Sequence, residues 1–174
     1  MEIIKVITGT LDENCYVLKE NNTCLVIDPG DDYPKIKDVI GDSKVLGVLI
    51  THSHFDHIGA LRNFLTKRSV KIFKKSNLEE KEYTIGDFNF KAILTPGHSK
   101  DSVTFYFEEE KVMFVGDFIF NDSIGRCDLP GGDSKEMAES IKKIKTYPTD
   151  IKLYPGHYEE TTLEYELNNN PYLK

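Results

Sequence analysis

The stretch "LITHSHFDHIGA" at residues 49–60 constrains this chain more than any other. It sets three histidines and an aspartate within six positions, directly after an apolar run. The chain has five histidines in all, so most of them are spent here. One histidine alone reads as a surface or core residue, and Asp56 alone reads as a helix cap. The set His52, His54, Asp56 and His57 needs a joint explanation. Packed together without a metal, these side chains would repel when protonated and bury unpaired polar atoms when neutral. His52 and His54 are two apart, so an extended turn aims both one way. Asp56 and His57 follow at a helix entrance and point elsewhere in the same pocket. That arrangement suits two neighbouring metals better than one.

The remaining ligand candidates come from separate places. "AILTPGH" and "IKLYPGH" share one pattern, an apolar strand, then Pro-Gly, then histidine. Proline ends the strand and glycine permits an unusual backbone angle, so His98 and His157 are each presented from a loop at a strand end. "LVIDPG" ends a strand in the same way, with Asp28. Asp117 follows the apolar "VMFVG". Alone it is a turn residue; beside five imidazoles it becomes a candidate bridging carboxylate. Tetrahedral zinc takes about four ligands, and five histidines plus Asp56 exceed that number.

Elsewhere the first half of the chain reads as strands with tight connections. "EIIKVIT", "NCYVLKE" and "TCLVIDPG" are rich in β-branched and aromatic residues, and Asn21-Asn22 fits a hairpin turn. "KVLGVLIT" is nearly all apolar, as expected of a strand covered on both faces. Further strands are expected at 70–74, 88–94, 102–108, 111–115 and 151–154, with a hairpin turning at Glu108–Glu110. Helical spacing predicts helices over 57–67 and 134–146, the second capped by Asp133, and a short one near 34–40.

The formal charge is −7, and no segment is a dense Lys/Arg cluster. This argues against a nucleic-acid partner, whose phosphates need basic neutralisation. It argues equally against an anionic membrane surface. Apolar runs stay far below the roughly 20 residues that span a bilayer. The start "MEIIKVITGT" lacks the pattern of a signal peptide. The three cysteines, Cys15, Cys24 and Cys127, have no CxxC spacing. The expectation is a reduced, cytoplasmic, single-domain chain over residues 1–174. Cys15 and Cys24 fall in strand-like stretches and are expected to be buried.

"THSHFDH", "TPGHS", "VGD" and "YPGH" occur in the order and rough spacing of the metallo-β-lactamase superfamily, which this chain resembles over nearly its whole length. The resemblance implies an α/β fold, a four-layer αββα sandwich with the metal site at one edge. It implies that His52, His54 and His98 hold a first divalent metal and that Asp56, His57 and His157 hold a second. Asp117 would bridge the two, and Asp56 would also orient the attacking hydroxide. Zinc is the first expectation, while iron or manganese suits the same nitrogen and oxygen donors. Two further stretches, "SIGRCDLPGGD" and "GHYEETTLEYELNNNPYL", are similar to the glyoxalase II group, the hydroxyacylglutathione hydrolases, and most of all to short members without the C-terminal helical domain. The implied partner is a small-molecule thioester. Arg126 matches a basic residue that grips glutathione in that group; its other reading is a loop salt bridge with Asp128 or Asp133. Asp128 stands where an aromatic contact is typical. Tyr158 either lines the pocket or packs on its rim. Two other activities on this scaffold are a mononuclear iron persulfide dioxygenase and a metallo-hydrolase of another ester, lactone or amide.

Overall fold

The computed structural model describes residues 1–66 and 69–174. Its elements follow in chain order as β1 (Glu2–Thr8), β2 (Glu13–Glu20), β3 (Thr23–Ile27), α1 (Tyr33–Ile40), β4 (Lys44–Leu49), α2 (Phe55–Ile58), α3 (Arg62–Leu65), β5 (Lys71–Phe73), β6 (Glu82–Ile85), β7 (Phe88–Leu94), β8 (Val103–Phe107), β9 (Val112–Gly116), β10 (Ile119–Phe120), β11 (Ser123–Ile124), α4 (Ser134–Ile144), β12 (Lys152–Pro155), β13 (Thr161–Thr162) and α5 (Leu163–Asn169). One sheet has the order β1-β2-β3-β4-β5 and a second has the order β13-β12-β9-β8-β7-β6. The short β10-β11 ribbon pairs with neither sheet, and its Ile119 packs in the core beside β9 and β12.

Strand alternation builds the layers. Tyr16, Leu18, Leu25, Ile27 and Leu49 from the first sheet meet Phe90, Phe105, Phe107 and Phe114 from the second, forming the core between the sheets. The intervening residues face outward. Val17, Val26 and Val48 pack with Ile36 and Ile40 of α1 and Phe64 of α3. On the other side, Met113 and Leu153 pack with Met137, Ile141 and Ile144 of α4 and Leu163 of α5. The result is the expected αββα sandwich. Because β4 sits between two such cores, its near-continuous apolar sequence is accounted for.

Asn21 and Asn22 take φ values of 45° and 60°, as a tight two-residue hairpin turn requires. Asp133 caps α4, accepting from the backbone N–H groups of Lys135 and Glu136. Cys15 and Cys24 are fully buried.

The helix predicted over 57–67 is the main departure. It is two single turns, α2 and α3, and residue 67 lies outside the described residues. The cause is local. The Ala60 N–H donates to the carbonyl oxygens of Gly30 and Pro29, at 2.7 and 3.0 Å, instead of continuing a helical ladder. Gly59 and Gly30 allow this approach, since a Cβ on Gly59 would lie 2.2 Å from the Gly30 carbonyl oxygen. Helical spacing reads side chains, and here a backbone neighbour decides. Strands β6 and β13 and helix α5 were not anticipated; β13 is two residues long and too short for a periodic signal.

Candidate metal centre

The site is assembled where parallel neighbours end together. β3 and β4 run parallel, as do β9 and β12. The first pair delivers Asp28 and the 51–57 turn to one place. The second pair delivers Asp117 and His157, and Gly156 N–H donates to the Gly116 carbonyl at 2.9 Å. A Cβ on Gly156 would fall 2.5 Å from Asp117 Oδ1, so only glycine lets these two turns close on each other. The loop after β7 brings His98, and Val103 N–H donates to the Thr51 carbonyl at 2.7 Å, joining the two sheets beside the site.

All seven residues proposed as ligands from the sequence converge. His54 Nδ1 lies 3.0 Å from His52 Nε2 and 2.9 Å from His98 Nε2. A few ångströms away, Asp56 Oδ2 lies 3.2 Å from His157 Nε2 and 3.7 Å from His57 Nε2. Asp117 stands between the trios. Its Oδ1 is 3.3 Å from His57 Nε2, and its Oδ2 is 3.5 Å from His98 Nε2 and 3.7 Å from His157 Nε2. Each trio can bring one donor atom per residue to a common point.

The second ring nitrogens explain why the first ones point inward. His98 Nδ1–H donates to the Arg126 carbonyl at 2.8 Å, and His157 Nδ1–H donates to the Leu11 carbonyl at 3.1 Å. Carbonyls only accept, so when each ring is neutral its Nε2 carries the lone pair. His57 Nδ1–H donates to Asp28 Oδ2 at 3.0 Å. The Thr51 hydroxyl donates to Asp28, so it accepts from His52 Nδ1–H at 3.0 Å. Four imidazoles therefore have fixed tautomers, as metal-ligating histidines usually do.

Charge follows the same division. Burial holds His52 well below the ordinary imidazole range, and burial also lowers His54. Burial opposes the charging of His57, but the carboxylates of Asp117 and Asp28 outweigh it and hold His57 well above its usual value. His157 is raised in the same way, burial opposing and Asp56 supporting. Burial works against ionising Asp117, yet the imidazoles around it, His57 foremost, hold its carboxyl well below the usual range.

The fit to a cation rests on unpaired atoms. Among the described residues, the buried side-chain polar atoms without a hydrogen-bond partner are His57 Nε2, Asp117 Oδ1 and Glu13 Oε1. Two of these three face each other at the junction of the trios. An unpartnered buried polar group costs about 1–3 kcal/mol, and a divalent ion would satisfy both. The donor set, imidazole nitrogen and carboxylate oxygen, suits zinc, iron or manganese.

Several supporting residues escaped the sequence reading. Thr51 and the carboxylate of Asp28 are two of them; the sequence reads Asp28 only as a strand end. Asn14 donates from Nδ2 to the carbonyls of Pro155 and Tyr158, at 3.1 and 2.8 Å, and so clamps the turn that carries His157. Glu13 is buried beside His57, with Oε1 3.7 Å from His57 Nδ1. Burial pushes its carboxyl up to about 9, so it is protonated at neutral pH. Nothing in "LDENCY" sets this glutamate apart from a surface one. Arg126 and Tyr158, the two proposed substrate contacts, both line an open cleft of about 760 Å³ above the ligands. Arg126 also makes the alternative contact, a salt bridge to Asp128.

The metallo-beta-lactamase superfamily model matches residues 8–81 and 74–157, which include every histidine just described. The chain belongs to the metallo-β-lactamase superfamily. It is a metallo-hydrolase by that membership, with a His/Asp cluster of the divalent-metal kind. The chain is 31% identical to the probable metallo-hydrolase YqgX of Bacillus subtilis, over 95% of this chain and 94% of the relative. It is 29% identical to the hydroxyacylglutathione hydrolase GloC of Haemophilus influenzae, over 99% of this chain and 97% of the relative. Among solved structures it is similar to the B3 metallo-β-lactamase BLEG-1, with a TM-score of 0.92, 32% identity, and coverage of 99% of this chain and 100% of that one. In this superfamily member no helix of the described residues is long and apolar enough to cross a membrane.

Proposed function

We propose that this chain is a dinuclear metal-dependent hydrolase that cleaves thioesters, of the hydroxyacylglutathione hydrolase (glyoxalase II) type. The observation that carries the reading is the pair of donor trios sharing Asp117 on the floor of one cleft. His52, His54 and His98 would hold one divalent ion, and Asp56, His57 and His157 the other, with Asp117 between them. When bound, two such ions lower the pKa of water to about 7 and polarise a carbonyl oxygen.

The chain's own residues do the rest. Asp28 and Thr51 fix the ring orientations of His57 and His52. Asp56 is partly buried beside His157 and lines the cleft, so one of its oxygens would orient the attacking hydroxide, while the proton that water gives up leaves to solvent. The hydroxide oxygen bonds to the acyl carbon, the carbon–sulfur bond breaks, and the departing sulfur takes a proton. The products are a carboxylic acid and a thiol. No serine or cysteine nucleophile is required; Cys127 has no free histidine to act as its base.

The similarity to GloC supports the thioester assignment, since its name specifies that chemistry. The test is a steady-state assay of the metal-loaded protein on S-lactoylglutathione and on simple acyl thioesters. Turnover of at least one thioester, lost with chelator and restored by added metal, is the expected result. A protein that binds its metals yet cleaves no thioester contradicts the proposal.

A further inference from the structure

The cleft above the ligands has walls of Leu11, Phe55, Phe120, Ile124, Leu129 and Tyr158. Phe55 is 74% exposed and Tyr158 71% exposed, both beside the ligands. Tyr158 sits at φ 68°, a backbone angle that non-glycine residues rarely take. The Asn14 bond to its carbonyl oxygen holds it there. Apolar side chains are thus held open at the mouth rather than folded away.

Away from the histidine floor, Arg126 is the one basic side chain among the described residues that lines this cleft. It would be the natural receiver of a carboxylate on a substrate's thiol arm. It is engaged already. Arg126 Nε and Nη2 donate to Asp128 Oδ1 and Oδ2, each at 2.7 Å, a two-pronged fork between residues two apart in one loop. Arg126 holds the Asp128 carboxyl at about 2, so the partner stays ionised across the neutral range. The fork has no net charge. The loop is also tied down, because the Arg126 carbonyl accepts from His98 and Asp133 N–H donates to the Gly97 carbonyl at 2.8 Å.

We propose that this cleft takes thioesters whose thiol arm is apolar and uncharged, and that the Arg126–Asp128 fork sets that preference by keeping the Arg126 guanidinium from anionic arms. This rests on the thioester reading above. It keeps the thioester chemistry of that reading and replaces glutathione as the carrier with a neutral thiol. A tripeptide arm with two carboxylates would meet apolar walls and a guanidinium that is already paired. A neutral arm loses nothing to the fork and gains the contacts of Phe55, Leu129 and Tyr158.

The test compares two substrates with the same acyl group, S-lactoylglutathione and S-lactoyl-N-acetylcysteamine, on the metal-loaded protein. The readout is the ratio of their kcat/KM values. The wild type is expected to favour the neutral ester. Asp128→Ala should shift the ratio toward the glutathione ester by about two- to fivefold, as freeing one exposed guanidinium implies. Most of that shift should be in KM, and it should fade at high salt. Asp128→Asn, which keeps the shape of the loop, should move the ratio in the same direction. A wild-type preference for the glutathione ester overturns the proposal. So does an unmoved ratio in both Asp128 variants. If neither ester is cleaved, the thioester reading itself is wrong and this proposal falls with it. A glutathione preference leaves the thioester reading standing.

Discussion

The floor and the mouth of the cleft are built differently. On the floor His52 and His57 are buried, and each ring has its outer nitrogen held by a second protein group. At the mouth Leu11, Phe55 and Tyr158 are each more than half exposed. Tyr158 meets Phe120 edge-on, with ring centroids 5.5 Å apart, yet stays open to solvent. The floor is over-determined, so its geometry tolerates little change. The mouth is under-determined, and changes there should alter what binds more than whether the reaction runs.

The largest effect should come from a ligand itself. His54→Ala removes the nitrogen that faces both His52 and His98. Thioester turnover should fall to background and metal content should drop, while circular dichroism keeps most of the native signal. Near-wild-type turnover in that variant would break the assignment of the first trio. Next in size is the support beneath the floor. Asp28→Asn withdraws the carboxylate that receives His57 Nδ1–H and the Thr51 hydroxyl. Metal affinity should weaken about 10- to 100-fold, as measured by competition with a chelating dye.

Gly30→Ala tests the backbone contact that splits the predicted helix. The new Cβ would meet the Asp56 carbonyl oxygen at 2.1 Å and the Thr8 hydroxyl at 2.6 Å. A loss of about 1–3 kcal/mol is expected in a denaturant titration. An unchanged midpoint would show that the 28–30 turn is not tightly seated against Asp56. The smallest effect belongs to the mouth. Tyr158→Ala should raise KM for an apolar thioester about two- to tenfold, with kcat little changed. A large fall in kcat instead would move Tyr158 from the mouth to the chemistry.

The same division explains what could be read from the sequence. The candidate ligands are legible because histidine and aspartate in H-x-H-x-D-H spacing make little physical sense without a metal to share. The Pro-Gly-His turns are legible because proline and glycine punctuate strands in recognisable ways. The sandwich is implied by the resemblance that these motifs carry; the residues alone mark β4, by its near-continuous apolar run, as a strand covered on both faces. What failed was whatever depends on contacts across the chain. Ala60 turns to a carbonyl 30 residues away, and no local spacing reports that. Asn14 and Glu13 look like ordinary polar residues at the start of a strand until the fold sets them against the 155–158 turn and His57. The Arg126–Asp128 fork sits between. Its pairing was one of two readings, and the orientation of the side chains decides it.

The central claim is that two trios hold two metals around Asp117. Its most direct measurement is metal stoichiometry by elemental analysis of the purified protein, paired with an assay of thioester hydrolysis. The account predicts about two divalent ions per chain and thioester cleavage that rises and falls with metal content. One iron per chain, with oxygen uptake on a persulfide and no thioester cleavage, would contradict it.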